Sequence, residues 1–180
     1  METQRLVLRP LCSADAGRFA ELCAEESFMR FGWGRGFRES EALELLARWV
    51  SVWETEGFGM WAAVDRGSGA TVGYVGLSVP TWLPEVLPAV EVGWRFAPAS
   101  RGKGLATEGA VAALDFGFGT LGLDSVISVT QPGNSASWRV MERLGMRMDR
   151  RLMHPSANVS LVVYEITAGA WQDHRAQMGS

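Results

Sequence analysis

Between Val90 and Phe118 the apolar residues change period within one continuous stretch. Val90, Val92, Trp94 and Phe96 alternate, which puts them on one face of a strand and leaves Glu91 and Arg95 together on the other. Pro98 to Gly104 breaks that strand, and from Leu105 to about Phe118 the chain is apolar on nearly every side, which predicts a helix buried against a sheet. Ser125 to Thr130 then reads as the next strand. A strand, a glycine loop, a buried helix and a second strand commit the chain to a crossover, and such crossovers imply parallel pairing with helices on the faces of a sheet.

The remaining segments extend that plan. Gln4 to Arg9 alternates, with Leu6 and Leu8 opposite Arg5, Val7 and Arg9, and Pro10 ends the strand. Ser13 is the expected N-cap of a short helix carrying Ala16, Phe19, Leu22 and Cys23. Phe31 to Phe37 (FGWGRGF) is too glycine-rich to continue it and reads as a loop. Ala42, Leu46, Trp49, Val50 and Trp53 form one stripe, so a second helix runs from about Ser40 to near Gly57. Phe58 to Asp65 and Thr71 to Val79 are strands joined through Gly67 to Gly69. Asn134 can cap a helix that turns Val140, Met141 and Leu144 inward, and Gly145 suits the left-handed position that closes it. Strands near Met148 to Met153 and Val159 to Thr167 complete the chain. The expected fold is mixed α/β, a twisted sheet of about seven strands flanked by about four helices, in one domain over residues 1–180.

Charge and composition narrow the partners. A net charge of -3 gives no general attraction to polyanions, so nucleic acid is not an expected partner. No run approaches about 18 uninterrupted apolar residues, so no membrane span is expected. Cys12 and Cys23 stand singly, without metal-ligand spacing, which predicts no metal site and a reducing, cytoplasmic setting.

Two glycine motifs compete as ligand sites. Gly117, Gly119 and Gly122 (GFGTLG) have the spacing of a dinucleotide fingerprint, but that fingerprint needs a strand before it and a helix after it. Here the order is reversed, and these glycines are expected to end a helix. RGKGLA, Arg101 to Ala106, has the right neighbours: a strand, a glycine loop, then a helix. Amides at a helix start lack internal partners and carry the positive end of its dipole, so they can bind phosphate groups. Glycine allows the unusual backbone angles and leaves the ligand room. Lys103, the one lysine among 17 Lys+Arg, would with Arg101 add long-range attraction. From the hexapeptide alone, an anion site and an ordinary turn with solvated charges stay equally open.

RGKGLA resembles the Q/R-x-x-G-x-G/A signature of the GNAT superfamily of N-acyltransferases. TQRLVLRPL, EVGWRFAP, ATEGA and NSASWRVMERLGM, in that order between Thr3 and Met146, are similar to the branch containing ribosomal-protein N-terminal acetyltransferases. The resemblance implies a sheet splayed between its fourth and fifth strands, with acetyl-coenzyme A as cosubstrate and no metal. Its pyrophosphate would lie on the glycine loop and its pantetheine along the fourth strand. The cofactor-binding residues so implied are Trp94, Phe96, Arg101, Gly102, Lys103, Gly104, Leu105, Ala106, Thr107, Asn134 and Ser137. The implied reaction is direct attack of a primary amine on the thioester in a ternary complex.

That chemistry requires an amine to lose a proton, an oxyanion to be stabilised and a thiolate to be accommodated. Backbone N–H groups near Trp94 and Phe96 are the oxyanion candidates. At pH 7 an α-amine costs only about 1 kcal/mol to neutralise, a lysine amine about 4.6 kcal/mol. Glu91 is the leading base, with an alternative reading as an ion pair with Arg95; His154, before Pro155, is a rival. Many superfamily members offer a tyrosine in or after the later helix, but this chain has only Tyr74 and Tyr164. The branch resembled here places a serine three residues after the asparagine as the acid, which is Ser137. Glu108 is read as complementing the helix dipole. Phe31 to Phe37 and Pro80 to Pro88, with Trp33 and Trp82, stand where this fold shapes the acceptor side. Arg35 and Arg38 there suit either an acidic substrate or a solvated loop. The expected acceptor is a protein or peptide N-terminal amine, ahead of a small-molecule amine. A catalytically weak acyl-coenzyme A-binding regulatory module is the alternative from another class, and a homodimer stays open.

Overall fold

In the computed structural model, which describes residues 1–178, the order is β1 (Leu6–Pro10), α1 (Ala16–Ala24), α2 (Glu26–Trp33), α3 (Glu39–Glu56), β2 (Met60–Asp65), β3 (Thr71–Ser78), β4 (Glu91–Phe96), α4 (Leu105–Gly119), β5 (Ser125–Thr130), α5 (Ser135–Arg143), β6 (Arg147–Met153), β7 (Ser160–Thr167) and α6 (Ala168–Met178). The strands form a mixed sheet ordered β1-β2-β3-β4-β5-β7-β6, with β4-β5 parallel and β1-β2, β2-β3, β5-β7 and β6-β7 antiparallel. The expected mixed α/β class and the parallel crossover through α4 are both present. Packing gathers into two compact units: Met1–Gly76 with Trp94–Gly109, and Leu77–Gly93 with Ala110 onward.

In the first unit, Leu6 and Leu8 of β1 are fully buried, as their alternation predicted, and β1 pairs with β2 in the register Leu8↔Ala63. Phe19, Leu22 and Cys23 of α1 and Ala42, Leu45 and Leu46 of α3 pack over β2 and β3 in one apolar cluster. Tyr74 lies at its centre, with the rings of Phe19, Phe28 and Trp49 at 6.0, 5.7 and 4.7 Å. Ser13 does not cap α1: Ser13–Asp15 is a 3-10 turn, and Asp15 precedes the α-helix. Asp15 is 5% exposed and takes Arg9 at 2.7 and 2.6 Å together with the Cys12 amide at 3.0 Å. Burial would raise its carboxyl, but those partners outweigh it and hold the group below its ordinary value. A short helix, α2, also precedes the glycine loop, where no separate element was expected. Its helical geometry lapses at Phe31 and at Gly32, φ 107°, so Phe31 to Phe37 is indeed where the regular backbone breaks.

In the second unit, β5 pairs with β7 from Ser125↔Thr167 to Thr130↔Val162. Leu83, Val86, Ile127, Leu161 and Val163 make a buried cluster. Gly117 sits inside α4, where a Cβ would meet Leu77 at 3.2 Å and Leu123 at 3.4 Å, and Gly122, φ 67°, follows the helix. The GFGTLG spacing thus serves packing and helix termination. Gly145 closes α5 at φ 75°.

Helix α6 was not foreseen. Only Trp171 of its residues is buried, so no apolar stripe marks it. Trp171, 3% exposed, anchors it by donating its indole N–H to Asp115 at 3.0 Å, and Arg175 meets the same carboxylate at 3.1 Å. His174 Nε2 lies 2.8 Å from the Arg143 carbonyl at the end of α5. Replacing Trp171 by Phe is expected to cost about 1 to 2 kcal/mol through the smaller ring and the lost bond to Asp115, read as a lower urea midpoint at unchanged slope. Among the described residues no helix is long and apolar enough to cross a membrane, and no group of three or more His, Cys, Asp or Glu could hold a metal ion. Cys12 and Cys23 are free.

Candidate functional site

The glycine loop is built as its composition demands. After β4 the chain makes a 3-10 turn, Pro98–Ser100, and then passes through Gly102 at φ 73° and Gly104 at φ 79°, both left-handed, on either side of Lys103. A Cβ on Gly102 would meet nothing within 4 Å. The Glu108 amide donates to the Gly104 carbonyl at 3.0 Å, so Leu105, Ala106 and Thr107 form a first turn whose amides precede that bond. The buried Thr107 hydroxyl has no partner among the described residues. Open space at glycine, forward-facing helix amides and an orphaned hydroxyl fit a phosphate-bearing ligand.

The charged residues around this loop have more specific duties than sequence suggested. Arg101 donates to the Phe96 carbonyl at 3.1 Å and to the Ser27 carbonyl at 2.6 Å, so its guanidinium ties the loop down. Burial, then the neighbouring Arg95 charge, lowers its pKa. Lys103 is exposed. Glu108 does more than face the dipole: it accepts from Thr3 Oγ1 at 2.6 Å, the Arg5 amide at 2.7 Å and Arg5 Nε at 2.7 Å. Arg5, which sequence reasoning passed over although it stands in TQRLVLRPL, also donates to the Lys103 carbonyl at 2.6 Å.

On β4, Phe96 is buried and Trp94 half-buried. Arg95 donates to the carbonyls of Phe28 and Phe31, both at 2.6 Å, with its guanidinium 5.3 Å from the Trp33 ring. The Arg95 side chain thereby braces the irregular end of α2. Trp33, 49% exposed, also meets Phe37 edge-on at 5.2 Å. Arg35 and Arg38 both pair with Glu41, at 2.7 and 3.2 Å, and the Glu41 carboxylate accepts the Arg38 amide at 2.8 Å. These bonds hold Glu41 well below the usual carboxylate range and account for both arginines within the loop and the start of α3.

In the second unit, Glu91 pairs with Ile127 in the parallel register, and Ile127 donates to the Val90 carbonyl at 2.9 Å. Two residues later the pattern changes, because the Val129 amide donates to the Glu91 carboxylate at 3.3 Å. Burial pushes that carboxyl up to about 7, against the pull of the Val129 amide. Gly93, next on the same face, has open space where a Cβ would stand. Arg95, offered by sequence as the ion-pair partner of Glu91, is engaged with carbonyls instead.

Asn134 and Ser137 do come together. Asn134 accepts the Ser137 amide at 3.4 Å and donates from Nδ2 to Thr130 Oγ1 at 3.0 Å and to Ser137 Oγ at 2.9 Å. Ser137 is therefore held as an acceptor, which leaves its own O–H proton available. Trp82, 43% exposed, stacks on His154 at 5.2 Å and 23°. His154 itself donates its amide to Val159 across a tight turn, at 2.9 Å, and accepts the Ser156 amide on Nδ1 at 3.2 Å.

The acetyltransferase (GNAT) domain family model matches residues 5–147. FsC-acetyl coenzyme A-N(2)-transacetylase of Aspergillus fumigatus is 32% identical over 187 aligned positions, covering 95% of this chain and 77% of that protein. Two Bacillus subtilis relatives match over shorter stretches, and the chain spans 61% of the length of one and 35% of the other. The crystal structure of an acetyltransferase from Agrobacterium tumefaciens is 28% identical, with a TM-score of 0.78 over 92% of each chain. The ribosomal-protein-S5-alanine acetyltransferase of Vibrio fischeri is 18% identical and shares the fold, with a TM-score of 0.74 over 95% of this chain and 97% of that one.

Proposed function

This chain belongs to the GNAT family of acetyltransferases, and we propose that, as a single acyltransferase domain, it moves an acetyl group from acetyl-coenzyme A to a primary amine by direct attack in a ternary complex. The observation that carries this reading is the loop, where left-handed Gly102 and Gly104 lead into the first turn of α4, whose buried Thr107 hydroxyl has no partner among the described residues. Acetyl-coenzyme A supplies the activated thioester. The residues of this chain bind, orient and move protons. Amides of Gly104 to Thr107 hold the diphosphate, and Lys103 adds an exposed positive charge. Arg101 acts indirectly, by fixing the loop.

Glu91, with its carboxyl near 7, is suited to take a proton from the acceptor ammonium at neutral pH. Transfer from an α-ammonium of pKa about 7.7 to 8.0 would then be uphill by only about 1 kcal/mol, against about 4.6 kcal/mol from a lysine side chain. This match favours an N-terminal or similarly acidic amine as acceptor. Ser137, held by Asn134 with its proton uncommitted, is suited to donate a hydrogen bond to the departing sulfur. Trp33 in the first unit and Trp82 in the second are separate exposed aromatic candidates for acceptor binding.

Thioester cleavage, followed with a thiol reagent across peptides with free N-termini and small amines, tests the reaction. Turnover with α-amines above that with lysine-type amines is the expected result. Binding of coenzyme A without turnover on any acceptor would replace the enzyme by a binding module. Lys103→Ala is expected to weaken coenzyme A binding about twofold to threefold at 0.15 M salt, and less in 0.5 M salt, because an exposed charge is largely screened.

A further inference from the structure

We propose that Arg5 is a positioning residue that aims the Gly104 amide at the diphosphate, an inference that rests on the acyl-carrier reading of the loop. Arg5 reaches the loop with a fork. Its Nε meets Glu108 at 2.7 Å, while its Nη1 donates to the Lys103 carbonyl at 2.6 Å. A trans peptide points its C=O and its N–H in opposite directions. Gripping the Lys103 carbonyl therefore turns the Gly104 N–H away from Arg5.

That peptide needs such a restraint. It lies between Lys103 and a glycine at φ 79°, with a second left-handed glycine two residues earlier, and glycine offers little resistance to rotation of the plane. A flipped plane would present the carbonyl oxygen, with its partial negative charge, to the anion. The anchor for Arg5 is itself fixed. Glu108 also accepts Thr3 Oγ1 at 2.6 Å and the Arg5 amide at 2.7 Å, and Arg66 donates to the Thr3 carbonyl at 2.8 Å. Glu108 also compensates the Arg5 charge, so the contribution of Arg5 is geometric. A lysine at this position could not hold both partners in the planar arrangement that the guanidinium provides.

The test is calorimetric titration with coenzyme A of wild type, Arg5→Met, Arg5→Lys and Glu108→Gln, at 0.15 M and 0.5 M salt. Both Arg5 variants are expected to bind about 10-fold to 30-fold more weakly, with the same ratio to wild type at either salt, and Glu108→Gln about threefold to fivefold more weakly. With an active acceptor, KM for acetyl-coenzyme A should rise in step while kcat stays within twofold. Wild-type affinity in Arg5→Lys, or a ratio that collapses in 0.5 M salt, would mean that charge rather than aim is at work and would overturn the proposal. Full affinity in Glu108→Gln and Arg5→Met together would overturn it as well. If Arg5→Met fails to fold, Glu108→Gln, which keeps the shape of the anchor, decides. Should wild type itself not bind coenzyme A, the functional reading fails first, a result distinct from any pattern among the variants.

Discussion

Replacing Gly104 by valine is expected to weaken coenzyme A binding by about 100-fold or more, measured by calorimetry, while lowering unfolding stability by only about 1 to 2 kcal/mol. Gly104 adopts φ 79°, a conformation that costs an L-residue about 1 to 2 kcal/mol and a β-branched one more. The loop is exposed and can relax toward negative φ, which relieves strain but turns the amide plane away from its ligand. Losing one or two charge-assisted hydrogen bonds to a diphosphate, each worth roughly 1.5 to 3 kcal/mol, then accounts for the affinity. A Cβ at this position would stand 3.4 Å from Arg5 Nη2, so the valine methyls would also press on the guanidinium that holds the Lys103 carbonyl. Gly102→Ala separates the contributions. Its backbone is equally left-handed, but a Cβ there meets nothing within 4 Å, so it should lose less. Equal losses from Gly104→Val and Lys103→Ala would show that charge, not backbone access, governs the loop.

What could be read from sequence divides along physical lines. Alternation marked β1 and β4, and helical patterns four of the helices, because Leu6, Leu8, Val92 and Phe96 are buried by the same alternation that makes them visible. Helix α6 escaped because its single buried residue, Trp171, sets no period. The loop was legible because its glycines and its place between strand and helix are local features. Its supports were not. Arg5 meets the Glu108 carboxylate across 103 positions of sequence and the Lys103 carbonyl across 98, and no pattern within a short window records such pairings. Arg95 shows the same limit from the other side: its partners are carbonyls of α2, 67 and 64 positions away. Asn134 and Ser137, only three apart, were legible as a pair, and they hydrogen-bond.

Glu91→Gln should slow acetyl transfer about 100-fold and yet make the protein more stable in mild alkali, and this opposition identifies the residue. The Glu91 carboxyl stands near 7 in the folded chain because it is buried, whereas in the unfolded chain it returns to about 4.3. A carboxyl raised by folding favours the native state while protonated. Its contribution is full below about pH 4, declines as pH rises through 7, and is flat beyond. Glutamine does not titrate and its Oε1 can still accept the Val129 amide, so the substitution removes the decline while keeping the bond that marks the change in pattern after Glu91↔Ile127. Urea titrations should therefore show the stability of Glu91→Gln relative to wild type growing by on the order of 3 kcal/mol between pH 4 and pH 8. Over the same interval wild-type kcat/KM should climb through a limb near 7 that Glu91→Gln lacks, leaving only the ionisation of the acceptor amine. A variant with wild-type rate and an unchanged limb would remove Glu91 from the chemistry. A variant slowed at every pH but without the gain in alkaline stability would mean that the carboxyl is not raised in the folded chain, and that its match to an α-amine does not explain the choice of acceptor.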